Sequence, residues 1–353
     1  MNLDGARRAW WLPGAHLQTT WSRLTRSRRL VTFTRELLET PDGDELLIDH
    51  VGGPADAPRV LLLHGLEGSA HSFHTQGLAH LVTRAGWRAV VMNFRSCARD
   101  PVDIKRRLRN RQPRLYHSGE TTDLALVVRT LAAREPDAPL YAIGFSLGGN
   151  VLLKWLGEVG AASAIRAAAS ISTPYDLAAA SRYLERRVGR FYTAHFMRRL
   201  RAKALDMVER FPRETAHLDI GRIRAARTFR ELDDCVTAPL FGFADASDYY
   251  ARASSIDALA RIAVPTLCVS SEDDPLFPAE AVARAREAAR ANAAVTFTVT
   301  PWGGHTGFVG GPWPWRPYYW AEEACLAWLQ RHHAARGGAD QGPQLSEAGA
   351  VVQ

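Results

Sequence analysis

The chain has 353 residues, of which 46% are hydrophobic and 23% charged, a balance that buries a full core and excludes a disordered chain. Lys and Arg number 44 against 37 Asp and Glu, for a net charge of +7. So mild an excess gives no reason to expect nucleic acid and is compatible with an acidic or membrane-surface partner. The length suits one α/β domain with room for an insertion and loose ends.

Cys97, Cys235, Cys268 and Cys325 form no C-x-x-C pair and no His/Cys spacing of a zinc site, so no metal or other cofactor is expected. A reduced, cytoplasmic protein is the simple expectation. The first residues lack the apolar run of a signal peptide, and nowhere do about 18 apolar residues follow one another as a membrane span requires.

From Leu30 to Val51 two β-rich runs flank Pro41-Asp42-Gly43-Asp44, whose Asp-Gly pair favours a tight turn. An antiparallel hairpin is therefore expected to open the sheet. Val60-Leu61-Leu62-Leu63 reads as a strand buried on both faces. A helix through Leu78, Leu81 and Val82 and a second buried strand, Ala89-Val90-Val91-Met92, complete a parallel crossover. The alternation continues with a helix capped near Ser118 and carrying Leu124, Val127, Val128 and Leu131. Then come a strand from Leu140 to Ile143, a helix from Gly149 to Leu156, and a strand from Ala167 to Ile171.

After Thr173 the alternation gives way to basic helical sequence containing Arg182, Arg186, Arg187, Arg190, Arg198, Arg199, Arg201 and Lys203. These residues are expected on a solvated helix face, their long stems covering apolar surface. That same face, set beside Tyr183, Phe191, Tyr192 and Phe196, is the candidate for peripheral contact with an anionic membrane surface. Strands at Pro265 to Ser270 and Val295 to Val299 follow, with helices around Ala281 to Ala291 and Tyr318 to His332. The expected organisation is an α/β core from residues 1–172 and 256–336, a helical cap inserted at 173–255, and a disordered tail at 337–353.

The strongest chemical signal is Gly144-Phe145-Ser146-Leu147-Gly148, a G-x-S-x-G between an expected strand and an expected helix. Such a turn holds a serine hydroxyl at a sharp corner, and the following helix N-terminus offers N–H groups to a developing oxyanion. A serine hydroxyl needs a base, and the base needs an orienting acid. His305, in Trp302-Gly303-Gly304-His305-Thr306, follows the last expected strand and is the candidate base. Ser271-Glu272-Asp273-Asp274-Pro275 follows the preceding strand and supplies the acid: Asp274 is preferred, 31 residues before His305, with Asp273 the alternative. The oxyanion donors are expected to be the backbone N–H groups of Leu147 and of Leu66, in the loop His64-Gly65-Leu66-Glu67-Gly68. His64 is expected to brace that loop. Ser118 ahead of Glu120 reads as a helix cap, and the Trp and Tyr cluster from Trp313 to Trp320 as packing.

Further segments carry a family resemblance. They are Trp11-Leu12-Pro13-Gly14-Ala15-His16-Leu17-Gln18-Thr19, His64-Gly65-Leu66-Glu67-Gly68-Ser69, Asn93-Phe94-Arg95 with Cys97, and Tyr116-His117-Ser118-Gly119-Glu120-Thr121. The elbow with Gly149-Asn150, Pro174-Tyr175-Asp176-Leu177, Thr237-Ala238-Pro239-Leu240-Phe241-Gly242-Phe243 and Tyr249-Tyr250 complete the set. Over nearly its whole length the chain resembles the YheT-like branch of the α/β-hydrolases, which also contains animal abhydrolases with an N-terminal membrane anchor. The resemblance implies the α/β-hydrolase fold and carboxylic-ester hydrolysis by Ser146, Asp274 and His305 through an acyl-enzyme. Its implied substrates are short- to medium-chain esters or acylglycerols. Two departures stand out: Ser96 occupies a position where the resemblance leads one to expect glycine, and no N-terminal anchor is expected. A thioesterase or acyltransferase would use the same triad. A non-catalytic scaffold binding an acyl ligand or a partner would need none of it.

Overall fold

Successive side chains of a strand face opposite ways, so a strand without polar positions must be covered on both sides. The computed structural model, which describes residues 7–100, 103, 106–186 and 189–340, meets that requirement with one central sheet between two helical layers. Its strands are β1 (Thr34–Glu39), β2 (Glu45–Val51), β3 (Arg59–Leu63), β4 (Arg88–Asn93), β5 (Leu140–Phe145), β6 (Ile165–Ile171), β7 (Thr266–Ser271) and β8 (Val295–Thr300). They lie in the order β1-β2-β4-β3-β5-β6-β7-β8. The β1–β2 hairpin is antiparallel, as its Asp-Gly turn leads one to expect, and β2 joins β4 antiparallel. From β4 to β8 every neighbouring pair is parallel.

Helix α1 (Ala15–Thr25) precedes the sheet, and α2 (Phe73–Arg84), α3 (Thr122–Arg134) and α4 (Leu147–Val159) connect its first parallel strands. Between β6 and β7 come α5 (Leu177–Leu184), α6 (Gly189–Arg210), α7 (Ile220–Ala225), α8 (Phe229–Leu232), α9 (Ala238–Phe241) and α10 (Ala246–Ala253). The chain closes with α11 (Ala279–Ala288) and α12 (Trp320–Asp340). Leu61, Leu63, Val90 and Met92 face α3 and α4, while Val60, Leu62 and Val91 face α2 and α12. The helices between β6 and β7 hold a separate apolar cluster that includes Met197, Met207, Ile223 and Leu232. No helix among the described residues is long and apolar enough to cross a membrane.

Several local expectations are corrected. The helix expected to be capped near Ser118 starts at Thr122 instead, with Thr121 at its N-cap. Tertiary bonds pin the preceding turn: the Ser118 N–H donates to the Tyr249 hydroxyl at 2.9 Å, and Asn150 donates to the Ser118 carbonyl at 2.8 Å. The helix after the elbow starts at Leu147 rather than near Gly149, and Gly148 in its first turn packs closely on the end of β3. In the basic stretch Arg182, Arg186, Arg190 and Arg198 are exposed as expected, but Lys203 is turned inward onto Glu67. Arg187 lies outside the described residues. Helix α12 continues to Asp340, and the remainder of the tail expected at 337–353 lies outside the described residues.

The segment bearing Ser96 keeps the geometry that glycine would adopt: Ser96 sits at φ 60°, and its hydroxyl donates to Asn110 at 2.8 Å. Beside it Arg95, with 1% of its side chain exposed, bonds to Asp42, Asp44 and Asp123 at 2.8–3.2 Å. Removing one partner of such a network strands the buried charges that remain. Arg95→Met is therefore expected to lower stability by about 3–5 kcal/mol, measured by urea unfolding; an unchanged midpoint would contradict it.

Candidate active site

The turn between β5 and α4 carries Ser146 at φ 51°, a strained conformation for a residue with a Cβ. Close packing around it explains the flanking glycines. A Cβ on Gly148 would lie 2.6 Å from the His64 carbonyl oxygen, and one on Gly65 would lie 3.3 Å from Ser146 Cβ. The loop after β3 is thereby pressed against the serine.

Two further loops converge there from the ends of β7 and β8. His305 Nε2 lies 3.1 Å from Ser146 Oγ, and His305 Nδ1 lies 2.9 Å from Asp274 Oδ2. With the proton on Nδ1, the ring donates to the carboxylate and accepts from the hydroxyl. Asp274 is itself held, since its Oδ1 accepts the backbone N–H groups of Leu276 at 2.8 Å and Phe277 at 3.3 Å. The Phe277 ring packs edge-on against His305, with centroids 4.9 Å apart.

Asp273, the alternative acid, bonds elsewhere: its Oδ1 accepts the Gly304 N–H at 2.8 Å. It thus fixes the backbone one residue before His305. The neighbouring carboxylates divide the work, one bonding to the imidazole and the other to its loop. Thr19 of α1 adds a third hold, accepting the His305 N–H on Oγ1 at 2.8 Å. The quoted Trp11–Thr19 segment therefore packs a helix against the histidine loop, a placement that sequence reasoning did not supply.

His64 braces the loop after β3. Its Nδ1 donates to the Gly65 carbonyl at 2.8 Å and its Nε2 accepts the Phe94 N–H at 3.2 Å. Burial pushes its pKa down to about 4, against the opposing pull of that carbonyl bond, so the ring is neutral at pH 7. Leu66 and Leu147 both line the same cavity as Ser146 and His305.

Glu67, next to Leu66, stands at φ 58°. Its backbone N–H donates to the Tyr116 hydroxyl at 2.7 Å, and its carboxylate meets Lys203 of α6 and Arg107, each at 2.6 Å. Burial alone would raise the carboxyl pKa, but Lys203 and Arg107 outweigh it and hold the group at about 2. This ion cluster ties α6 to the loop that carries Leu66. Sequence spacing holds no sign of it, because Glu67 and Lys203 are 136 residues apart.

The cavity above Ser146 has a volume of about 1090 Å³. Leu177, Leu184, Phe229, Leu232, Val236 and Phe277 are among the apolar residues that line it. Among the described residues, no group of three or more His, Cys, Asp or Glu side chains could hold a metal ion. The arrangement can move a proton from a serine hydroxyl onto a histidine beside an apolar chamber.

Comparison with known proteins places the fold in a family. Residues 58–312 match the family described as the alpha/beta hydrolase fold. YheT of Escherichia coli, which is named as an esterase, is 36% identical over 326 residues, covering 91% of this chain and 92% of that protein. Phospholipase ABHD3 of Bos taurus is 30% identical over 310 residues, covering 86% of this chain and 72% of its own. Among solved structures, the esterase Pf2001 of Pyrococcus furiosus has the same fold, with a TM-score of 0.55 at 18% identity over 85% of this chain and 93% of that one. The chain belongs to the α/β-hydrolase family, in its YheT-like branch, and is a hydrolase of the carboxylesterase and lipase type.

Proposed function

We propose that the protein is a serine carboxylic-ester hydrolase that works through an acyl-enzyme on short- to medium-chain esters or acylglycerols. The observation that carries this reading is the unbroken hydrogen-bond chain from Ser146 through His305 to Asp274 beside an apolar cavity.

Ser146 Oγ attacks the ester carbonyl carbon while His305 Nε2 takes its proton. The carbonyl oxygen becomes an oxyanion, which accepts from the backbone N–H groups of Leu66 and Leu147. Asp274 stabilises the imidazolium and keeps the ring oriented. As the tetrahedral intermediate collapses, the C–O bond to the alcohol breaks, and His305 returns the proton to the departing oxygen. Water then attacks the acyl-enzyme with the same base, releasing the acid and restoring Ser146.

Residues 173–255 act as a cap over this chamber, with the acyl chain lying against its apolar lining. A burial contribution of about 0.8 kcal/mol per methylene allows up to roughly a fourfold gain in kcat/KM for each added carbon. Across p-nitrophenyl esters from acetate to decanoate, kcat/KM is expected to climb into the medium-chain range, with matched thioesters slower. A flat profile would contradict an acyl-selecting cap, and faster thioester hydrolysis would make the protein a thioesterase.

A further inference from the structure

The residue before the nucleophile and the residue after the base share a neighbour. His74, the second residue of α2, stacks its ring on Phe145, immediately before Ser146, with centroids 5.5 Å apart and planes 27° apart. The same ring reaches the other side of the site: its Nε2 lies 2.7 Å from the hydroxyl of Thr306, immediately after His305. That hydroxyl in turn donates to the His305 carbonyl at 2.7 Å. A threonine hydroxyl has a single proton, so with that proton spent on the carbonyl, Oγ1 accepts from His74 and Nε2 carries the N–H.

Thr306 needs such a hold. It stands at φ 58°, a conformation that a β-branched residue keeps only where its surroundings impose it. Its N–H donates to Ser172 Oγ at 3.0 Å, and His74 fixes its side chain. The main chain around His305 is thereby gripped at three points: Asp273 on the Gly304 N–H, Thr19 on the His305 N–H, and Thr306 on the His305 carbonyl.

The far side of the His74 ring is arranged to keep it neutral. Among the described residues Nδ1 has no hydrogen-bond partner; it faces Glu322 Oε1 of α12 at 3.8 Å, too far for a hydrogen bond. A bare carboxylate there would draw a proton onto Nδ1 and turn the ring into a cation beside the imidazolium that His305 must form. Glu322 is instead clamped by two nitrogens of Arg26, at 2.6 and 2.7 Å. Room for that guanidinium comes from Gly77, three residues along α2 from His74, where a Cβ would fall 1.6 Å from an Arg26 nitrogen. Burial pushes the His74 pKa down, Glu322 pulls it up, and Arg26 and His305 push it down again, for a net lowering.

We propose that His74 is a positioning residue for the reaction: its Nε2–H holds the Thr306 hydroxyl, and through it the His305 main chain, in register with Ser146. The proposal rests on the serine-esterase reading and adds to it a residue that acts on the base through Thr306.

The test is a double-mutant cycle on kcat for p-nitrophenyl butyrate, counted per site titrated with a fluorophosphonate so that unfolded protein is excluded. His74→Phe keeps a ring to stack on Phe145 and removes the donor. Thr306→Val keeps the branched shape and removes the acceptor. Each is expected to lower kcat by about tenfold, for a hydrogen bond lost next to the base, with KM changed less than about twofold. In the Thr306→Val background, His74→Phe is expected to cost less than about twofold further, because both changes break the same bond. His74→Gln, whose amide can still donate, is expected to recover part of the loss. A second measurement needs no variant of the reaction: the imidazole ¹⁵N resonances of His74 in the wild type are expected to show the neutral Nε2–H form at pH 7. Wild-type kcat in both single variants, losses that multiply in the double variant, or a His74 carrying its proton on Nδ1 at pH 7 would overturn the positioning role while leaving the esterase intact. A wild type that neither hydrolyses the ester nor reacts with the fluorophosphonate would overturn the serine-esterase reading itself.

Discussion

Ser146→Ala is expected to abolish hydrolysis of p-nitrophenyl butyrate, with a loss in kcat of about 10⁶-fold, as where a serine and its base act as one unit. Without Oγ, His305 has no hydroxyl to activate, and what remains is an oxyanion site with no covalent route. The fold is expected to survive. Residue 146 keeps the same positive φ with serine or alanine, so the backbone strain is unchanged, and the bond from its N–H to the Ile171 carbonyl at 2.8 Å is retained. The thermal midpoint should therefore stay within a few degrees of the wild type. Hydrolysis retained within tenfold by a preparation free of wild-type enzyme would refute the role of Ser146.

Asp274→Asn is the second large effect, with an expected loss of about 10⁴-fold in kcat. An amide at this position can turn its NH₂ towards His305 Nδ1, which then has to accept, leaving Nε2 protonated and unable to take the serine proton. Asp273→Asn is the control. Its remaining carbonyl oxygen can still accept the Gly304 N–H, so the loop stays in place and kcat is expected to fall by less than about tenfold. A crippled Asp273→Asn beside a mild Asp274→Asn would reverse the assignment of the two carboxylates.

What the sequence made legible followed from local physics. Val60 to Leu63 had to be covered on both faces, the Asp-Gly turn demanded a hairpin, and the elbow glycines marked a strand-to-helix corner; the sheet contains all three. What stayed hidden depends on contacts between distant residues. Asp273 and Asp274 are adjacent and chemically alike, and only the path of the His305 loop decides which one meets the imidazole. Helix α1 lacks a clean apolar stripe, with Leu17 and Leu24 exposed and Gln18 and Ser22 buried, so its periodicity gives no helix signal. Gln18 is buried because its amide bonds Val309 on both the N–H and the carbonyl, a pairing across 291 residues. The same holds for the basic stretch of α6, where spacing alone cannot separate the solvated Arg198 from Lys203 on Glu67 or from Arg199 in the cavity wall.

The central claim is that Ser146 is a nucleophile activated by His305. Incubation with a fluorophosphonate, digestion and mass mapping of the peptides tests it without assuming any substrate. The account predicts stoichiometric modification of the wild type on Ser146, none in Ser146→Ala, and strongly slowed modification in His305→Ala. A folded wild-type protein left unmodified at Ser146, or modified as fast without His305, would contradict it.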